Sequence, residues 1–118
     1  MDWSIDPAMR HEARFGDRVV LAFAERPKSI WEMVASAVSR NPDGEALICG
    51  ERRMNWRDVA QASARIATGL REQGLQRGDR IALLLGNRIE FPLAVFAAAQ
   101  LGLVTVLLST RQQTPEIA

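Results

Sequence analysis

The sequence predicts an α/β fold with three main helices, a short β-hairpin and a parallel βαβ unit, forming an incomplete piece of a larger layered α/β domain. Three observations carry this expectation. Ile81 to Leu85 is a continuous aliphatic run without polar alternation, the pattern of a strand inside a parallel sheet, and Leu103 to Leu108 is a second apolar run that reads as the returning strand. Between them Phe91, Ala94, Val95, Ala98 and Leu101 fall on one helical stripe that ends at Gly102. A linking helix of about a dozen residues joins parallel neighbours through a right-handed crossover.

The elements follow in order. Residues 1–28 show no sustained period; they mix Pro7, Gly16 and Pro27 with a short apolar patch at Val19 to Phe23, and read as an N-terminal extension that packs on the body in places. Residues 29–118 form the body. Ser29 with Glu32 three residues on is a capping box, and Ile30, Met33, Val34, Ala37 and Val38 trace an amphipathic helix. Asn41-Pro42-Asp43-Gly44 stops it, because a proline pushes the residue before it out of the helical region. Ala46 to Cys49 and Arg52 to Trp56 flank Gly50-Glu51, a two-residue connection that suits a type II′ hairpin.

Asn55 caps the next helix with Asp58 at its third position, while Val59, Ser63, Ile66, Ala67 and Leu70 line one face. Gly74 is expected to end that helix as a left-handed residue, with Leu75 supplying the accompanying apolar contact. Arg77 to Arg80 is a turn into the first aliphatic strand. Asn87 and Glu90 read as the cap pair of the third helix. Gly16-Asp17-Arg18-Val19-Val20-Leu21 echoes Gly78-Asp79-Arg80-Ile81-Ala82-Leu83, but six residues are too few for a repeat, and the echo is read as chance.

Composition narrows the function classes. Fifteen basic and fourteen acidic residues nearly cancel and alternate along the chain, which leaves no electrostatic footprint for nucleic acid or an anionic membrane. The longest apolar runs fall far short of the roughly 20 residues that span a bilayer. Asp2 and Asp6 stand where a secretory leader would be basic, so the cytoplasm is the expected location. Cys49 is the one cysteine and reads as a small apolar strand residue; His11 is the one histidine and reads as solvated.

Phosphate chemistry calls for glycine-freed backbone amides and a basic side chain, and neither a G-x-G-x-x-G nor a Walker-type loop is present. Lys28, the only lysine, lies in a connecting segment and reads as solvated. One spot could hold an anion: the start of the helix at Asn87, where a buried strand delivers the chain to a positive helix terminus and Arg88 adds charge. A purely structural reading, with Asn87 capping its own helix, competes with it. Glu51, Arg52 and Arg53 at the hairpin tip read as a solvated turn, and Trp31 and Trp56 as packing residues. No catalytic, cofactor-binding or metal residue is assigned.

Several short signatures then point in one direction. Trp56-Arg57-Asp58-Val59, Ala67-Thr68-Gly69-Leu70, Gly74 through Leu85, Asn87-Arg88-Ile89-Glu90-Phe91, Ala97 through Gly102 and Thr114-Pro115-Glu116, in this order, resemble the N-terminal segment of AMP-forming acyl-CoA synthetases. These belong to the adenylate-forming superfamily. The resemblance covers about residues 29 to 118; it departs at Gly86, where the family commonly shows proline, and at Leu108-Ser109, where proline-asparagine is usual. It implies a parent enzyme that activates a carboxylic acid with ATP and Mg2+ to an acyl-adenylate and passes the acyl group to coenzyme A. The family's phosphate loop and catalytic lysine lie downstream of the matched segment, so this stretch is expected to be scaffold and inactive alone.

Thr114, Pro115 and Glu116 read as a helix start, with Ala118 the fourth residue after the cap, so the chain is expected to be the front of something larger. Its partner is then the rest of the parent polypeptide, and its uncovered apolar faces predict self-association. The competing expectations are a free-standing non-catalytic α/β interaction or dimerisation module and a small nucleotide-binding domain that uses the Asn87 helix terminus.

Overall fold

The computed structural model describes residues 7–111. The reading of Thr114 to Glu116 as a helix start lies outside them. Strands β1 (Met9–Arg14) and β2 (Arg18–Phe23) are followed by helix α1 (Ile30–Arg40), strands β3 (Glu45–Cys49) and β4 (Arg52–Asn55), helix α2 (Trp56–Glu72), strand β5 (Arg80–Leu83), helix α3 (Glu90–Leu101) and strand β6 (Val104–Leu107). The strands form three separate pairs: β1 with β2 and β3 with β4 antiparallel, β5 with β6 parallel.

The first pair corrects the reading of residues 1–28 as aperiodic. Met9↔Phe23, His11↔Leu21 and Ala13↔Val19 face one another across a regular hairpin, whose turn places Phe15 at φ 53 and Gly16 at φ 88. The alternation was hidden because charged and apolar residues alternate on β1 while β2 is apolar almost throughout. The hairpin does not pack on the body as expected: β1 and β2 contact each other and no other helix or strand among the described residues. Glycine-aspartate turns lead into both β2 and β5, with Gly16 and Gly78 at nearly the same φ, 88 and 89. The echo is thus a shared turn solution, used once for an antiparallel pair and once for a parallel one.

Ser29 and Asn55 both cap their helices, but only the second forms the full capping box expected of each. The Ser29 hydroxyl accepts from the Glu32 amide at 3.1 Å, while the Glu32 carboxylate reaches back one residue further than a capping box requires, to the Lys28 amide. Asn55 and Asp58 make the full reciprocal pair. Gly50 has φ 61, while Glu51 is not in the left-handed region, the combination of a type II′ turn and not of type I′. At the end of α2 the Gly74 amide donates to Arg71 and the Leu75 amide to Leu70, the two bonds of a Schellman motif.

The core lies where α1, α2 and α3 meet the β3–β4 hairpin. Val34, Val59 and Leu93, one from each helix, are buried together, with Trp31 and Trp56 packed at the margin as expected. α2 meets α3 through small side chains: Ser63, Ala67, Ala97 and Ala98 are all buried, and the two helices share the most extensive helix contact of the chain. The Ser63 hydroxyl is buried without a hydrogen-bond partner among the described residues.

The parallel pair corrects two expectations. The strands are not buried on both faces: in β5 Leu83 is buried but Ala82 is exposed, and Leu84 after it and Val104, Val106 and Leu107 of β6 are 41–56% exposed. α3 begins at Glu90 with Ile89, in helical geometry, at the N-cap position and without any side-chain cap. Asn87 therefore does not cap it. Instead Gly86 accepts from the Arg88 amide at 2.8 Å and Arg88 from the Phe91 amide at 3.1 Å, so two tight turns lead into the helix and carry Asn87 away from the cap position. Pro92 fits the first turn, where its missing amide proton has no intrahelical acceptor.

Candidate functional site

The loop between β5 and α3 is the position the sequence singled out. It emerges at the carboxyl end of the parallel pair, the side on which open α/β sheets bind ligands. Two open cavities meet at Asn87 and Phe91. One, of about 380 Å³, is bounded by Leu85, Gly86 and the segment Leu108 to Arg111 at the strand ends. The other, of about 260 Å³, lies between Leu47 to Cys49 of β3 and Arg88 to Pro92.

The electrostatics of this helix start do not favour an added anion. Glu90 occupies the first helical position, where the helix dipole favours a negative charge. Its carboxylate binds Arg52 of β4 at 3.0 Å and Arg88 at 3.4 Å. Its own backbone amide, and after it the Arg52 guanidinium, hold the carboxyl below its usual value. A carboxylate of the same chain therefore already stands at the positive end of the helix and pairs with both nearby arginines, in the place an added anion would take. Arg52 and Arg53 are exposed but not merely solvated: Arg53 pairs with Glu45 across the hairpin, and Arg52 ties the hairpin to α3.

Cys49 is a half-buried strand residue whose thiol approaches the Asn87 carbonyl oxygen at 3.9 Å, a packing position consistent with its expected role. His11 is exposed on β1 opposite Leu21. Among the described residues no group of three or more histidine, cysteine, aspartate and glutamate side chains could hold a metal ion.

A charge cluster not singled out from the sequence lies on the polar face of β1. Arg10, Arg14 and Arg26 all donate to the Glu12 carboxylate, at 2.7, 2.6 and 2.7 Å. The signal was present in the spacing Arg10-x-Glu12-x-Arg14, which puts three charges on one face of a strand. Arg26 joins only because the hairpin returns the chain beside β1.

Comparison with known proteins agrees with the fold. The family model described as AMP-binding enzyme matches residues 34–118. Pyochelin synthase PchD of Pseudomonas aeruginosa is 34% identical over 115 residues, 98% of this chain and 21% of that protein. The uncharacterized protein Rv1549 of Mycobacterium tuberculosis is 38% identical over 90 residues, 74% of this chain and 51% of that protein. Among solved structures, the Mycobacterium tuberculosis fatty acyl CoA synthetase superposes with a TM-score of 0.72 at 33% identity, covering 76% of this chain and 18% of that one. The chain thus spans about a fifth of the length of PchD and about half of Rv1549. No helix among the described residues is long and apolar enough to cross a membrane.

Proposed function

The chain belongs to the AMP-binding enzyme family, and from that premise we propose that it is the N-terminal scaffold segment of an acyl-CoA synthetase. The observation that carries the choice of acyl-CoA chemistry is the likeness to a fatty acyl CoA synthetase in both sequence and backbone. In the proposed parent reaction a carboxylate oxygen attacks the α-phosphorus of ATP, and the bond to pyrophosphate breaks. The coenzyme A sulfur then attacks the acyl carbon of the adenylate, AMP leaves, and a thioester remains. The cytoplasm, where ATP and coenzyme A are both present, is the proposed location.

Residues of this chain act on that chemistry through position. The α1–α2–α3 core holds the β5–α3–β6 unit, and the Arg52–Glu90 pair fixes the start of α3 against the β3–β4 hairpin. The open face of β6 is proposed to receive the rest of the parent polypeptide. No step is assigned to Mg2+ through the described residues, among which no group of three or more histidine, cysteine, aspartate or glutamate side chains could hold a metal ion.

A second reading, a non-catalytic interaction module, draws on Rv1549, a relative only about twice as long as the segment it shares with this chain. The test is to read the native coding region beyond Ala118 and assay its product for ATP–pyrophosphate exchange and for thioester formation with coenzyme A. Exchange that depends on a fatty acid and yields a thioester supports the synthetase reading. Exchange without any transfer to coenzyme A overturns the acyl-CoA assignment and leaves adenylate formation. No exchange with any carboxylic acid favours the interaction module.

A further inference from the structure

The β1–β2 hairpin precedes the segment matched by the family model, which begins at Val34. Its register sorts the side chains by period two. Met9, His11, Ala13, Val19, Leu21 and Phe23 share one face; Arg10, Glu12 and Arg14 share the other with Arg18, Val20 and Ala22.

The polar face carries more cation than its carboxylate can match. Arg10, Arg14 and Arg26 converge on Glu12, which neutralises one of the three. Beside this cluster opens a cavity of about 520 Å³ between β1 and the connector to α1. Arg10, Arg14, Arg26 and Lys28 line it, and Glu25 is its one acidic lining residue. The bonds to Glu12 orient the guanidinium groups without exhausting them. Arg10 donates through Nε alone, and Arg14 through Nε and Nη2, so both Nη groups of Arg10 and Nη1 of Arg14 have no hydrogen-bond partner among the described residues. The Glu12 carboxyl is held below its usual value, first by the hydrogen bond from Arg10 and also by the nearby charge of Arg14, so it remains the ionised anchor at neutral pH.

We propose that this cavity binds a phosphate-bearing anion, a diphosphate or a phosphomonoester, through the free donors of Arg10 and Arg14 with Arg26 and Lys28 alongside. Guanidinium forks match phosphate oxygens two at a time. A dianion matches the two positive charges that Glu12 leaves over. The phosphate group is the recognised chemistry, whether it arrives on a soluble anion or on a lipid headgroup. The hairpin allows the latter because Phe15 at its tip is 89% exposed beside an apolar face.

The test titrates sodium pyrophosphate into the full chain by calorimetry at constant ionic strength, and sediments the chain with phosphatidylcholine vesicles with and without phosphatidic acid. Saturable pyrophosphate binding is expected, weakened about tenfold by Arg14→Gln or by Lys28→Gln, as loss of a charge-assisted hydrogen bond implies. Lys28→Gln leaves the hairpin cluster intact, and circular dichroism checks that both variants fold. Arg57→Gln, which breaks a pair with Asp43 far along the sequence, is expected to bind like the parent chain. Saturation in solution without vesicle capture supports a soluble ligand, and capture by phosphatidic acid that pyrophosphate reverses supports a headgroup. The proposal is overturned by the absence of both, by capture that pyrophosphate does not reverse, or by an equal loss in Arg57→Gln.

Discussion

The amide of Gly78 donates to the carbonyl of Gly102 at 2.9 Å, fastening the turn that enters β5 to the turn that leaves α3. Both glycines are left-handed, with φ 89 and 71, and the bond sits at the end of the parallel pair where the Val104 amide meets the Asp79 carbonyl. A side chain at position 102 would face two costs. The left-handed backbone disfavours it by about 1–2 kcal/mol, and its Cβ would lie 3.0 Å from Arg77 Cγ. Gly102→Ala is therefore expected to lower the urea midpoint. Adding Arg77→Ala should recover the steric part and leave the backbone part.

Asn55 and Asn87 look alike in sequence, each with an acidic residue three positions on, yet only Asn55 caps a helix. Asn55→Ala should cost about 1 kcal/mol, the usual loss for a capping side chain. Asn87→Ala should change stability by less than about 0.5 kcal/mol. Equal losses in chemical denaturation would restore the capping role to Asn87.

Ser63 of α2 is fully buried with a hydroxyl that has no hydrogen-bond partner among the described residues. An unsatisfied buried polar group costs about 1–3 kcal/mol, so Ser63→Ala should raise the melting temperature. A drop would mean that the hydroxyl finds a partner in solution.

Glu90 links α3 to the β3–β4 hairpin, and its carboxyl is held below the ordinary value of 4.5. A carboxylate depressed in the folded state stabilises it fully above the unfolded value. That contribution fades as pH falls from about the unfolded value through the lower, folded one. Stability should therefore decline on acidification below about 4.5, and Glu90→Gln should flatten the Glu90 share of that decline. Denaturant midpoints across the acid range provide the measurement.

The open strand β6 gives a prediction about association. Val104 and Val106 alternate onto one face and are 47% and 41% exposed. The chain is expected to self-associate through this face as concentration rises, and Val106→Glu should shift sedimentation toward the monomer. A clean monomer at high concentration for the unsubstituted chain would count against an orphan face there.

Period, caps and turns were legible in the chain because each depends on residues within a few positions of one another. Thus α1, α2, the Gly50-Glu51 turn and the Gly74 ending follow from Ser29, Asn55, the glycines and the apolar stripes alone. The parallel pairing of β5 with β6 was also legible, since a helix of that length leaves the returning strand few places to lie. What required tertiary structure was every relation between distant segments. Glu90 could be read as a helix-start acid, but its partnership with Arg52 depends on how the β3–β4 hairpin packs beside α3. Asn87 lost its cap because the turns after Gly86 use backbone bonds that compete with side-chain capping. The gathering of Arg10, Arg14 and Arg26 on Glu12 depends on strand register and on the path of the returning chain, and register is set by pairing across the hairpin, which short-range pattern does not specify.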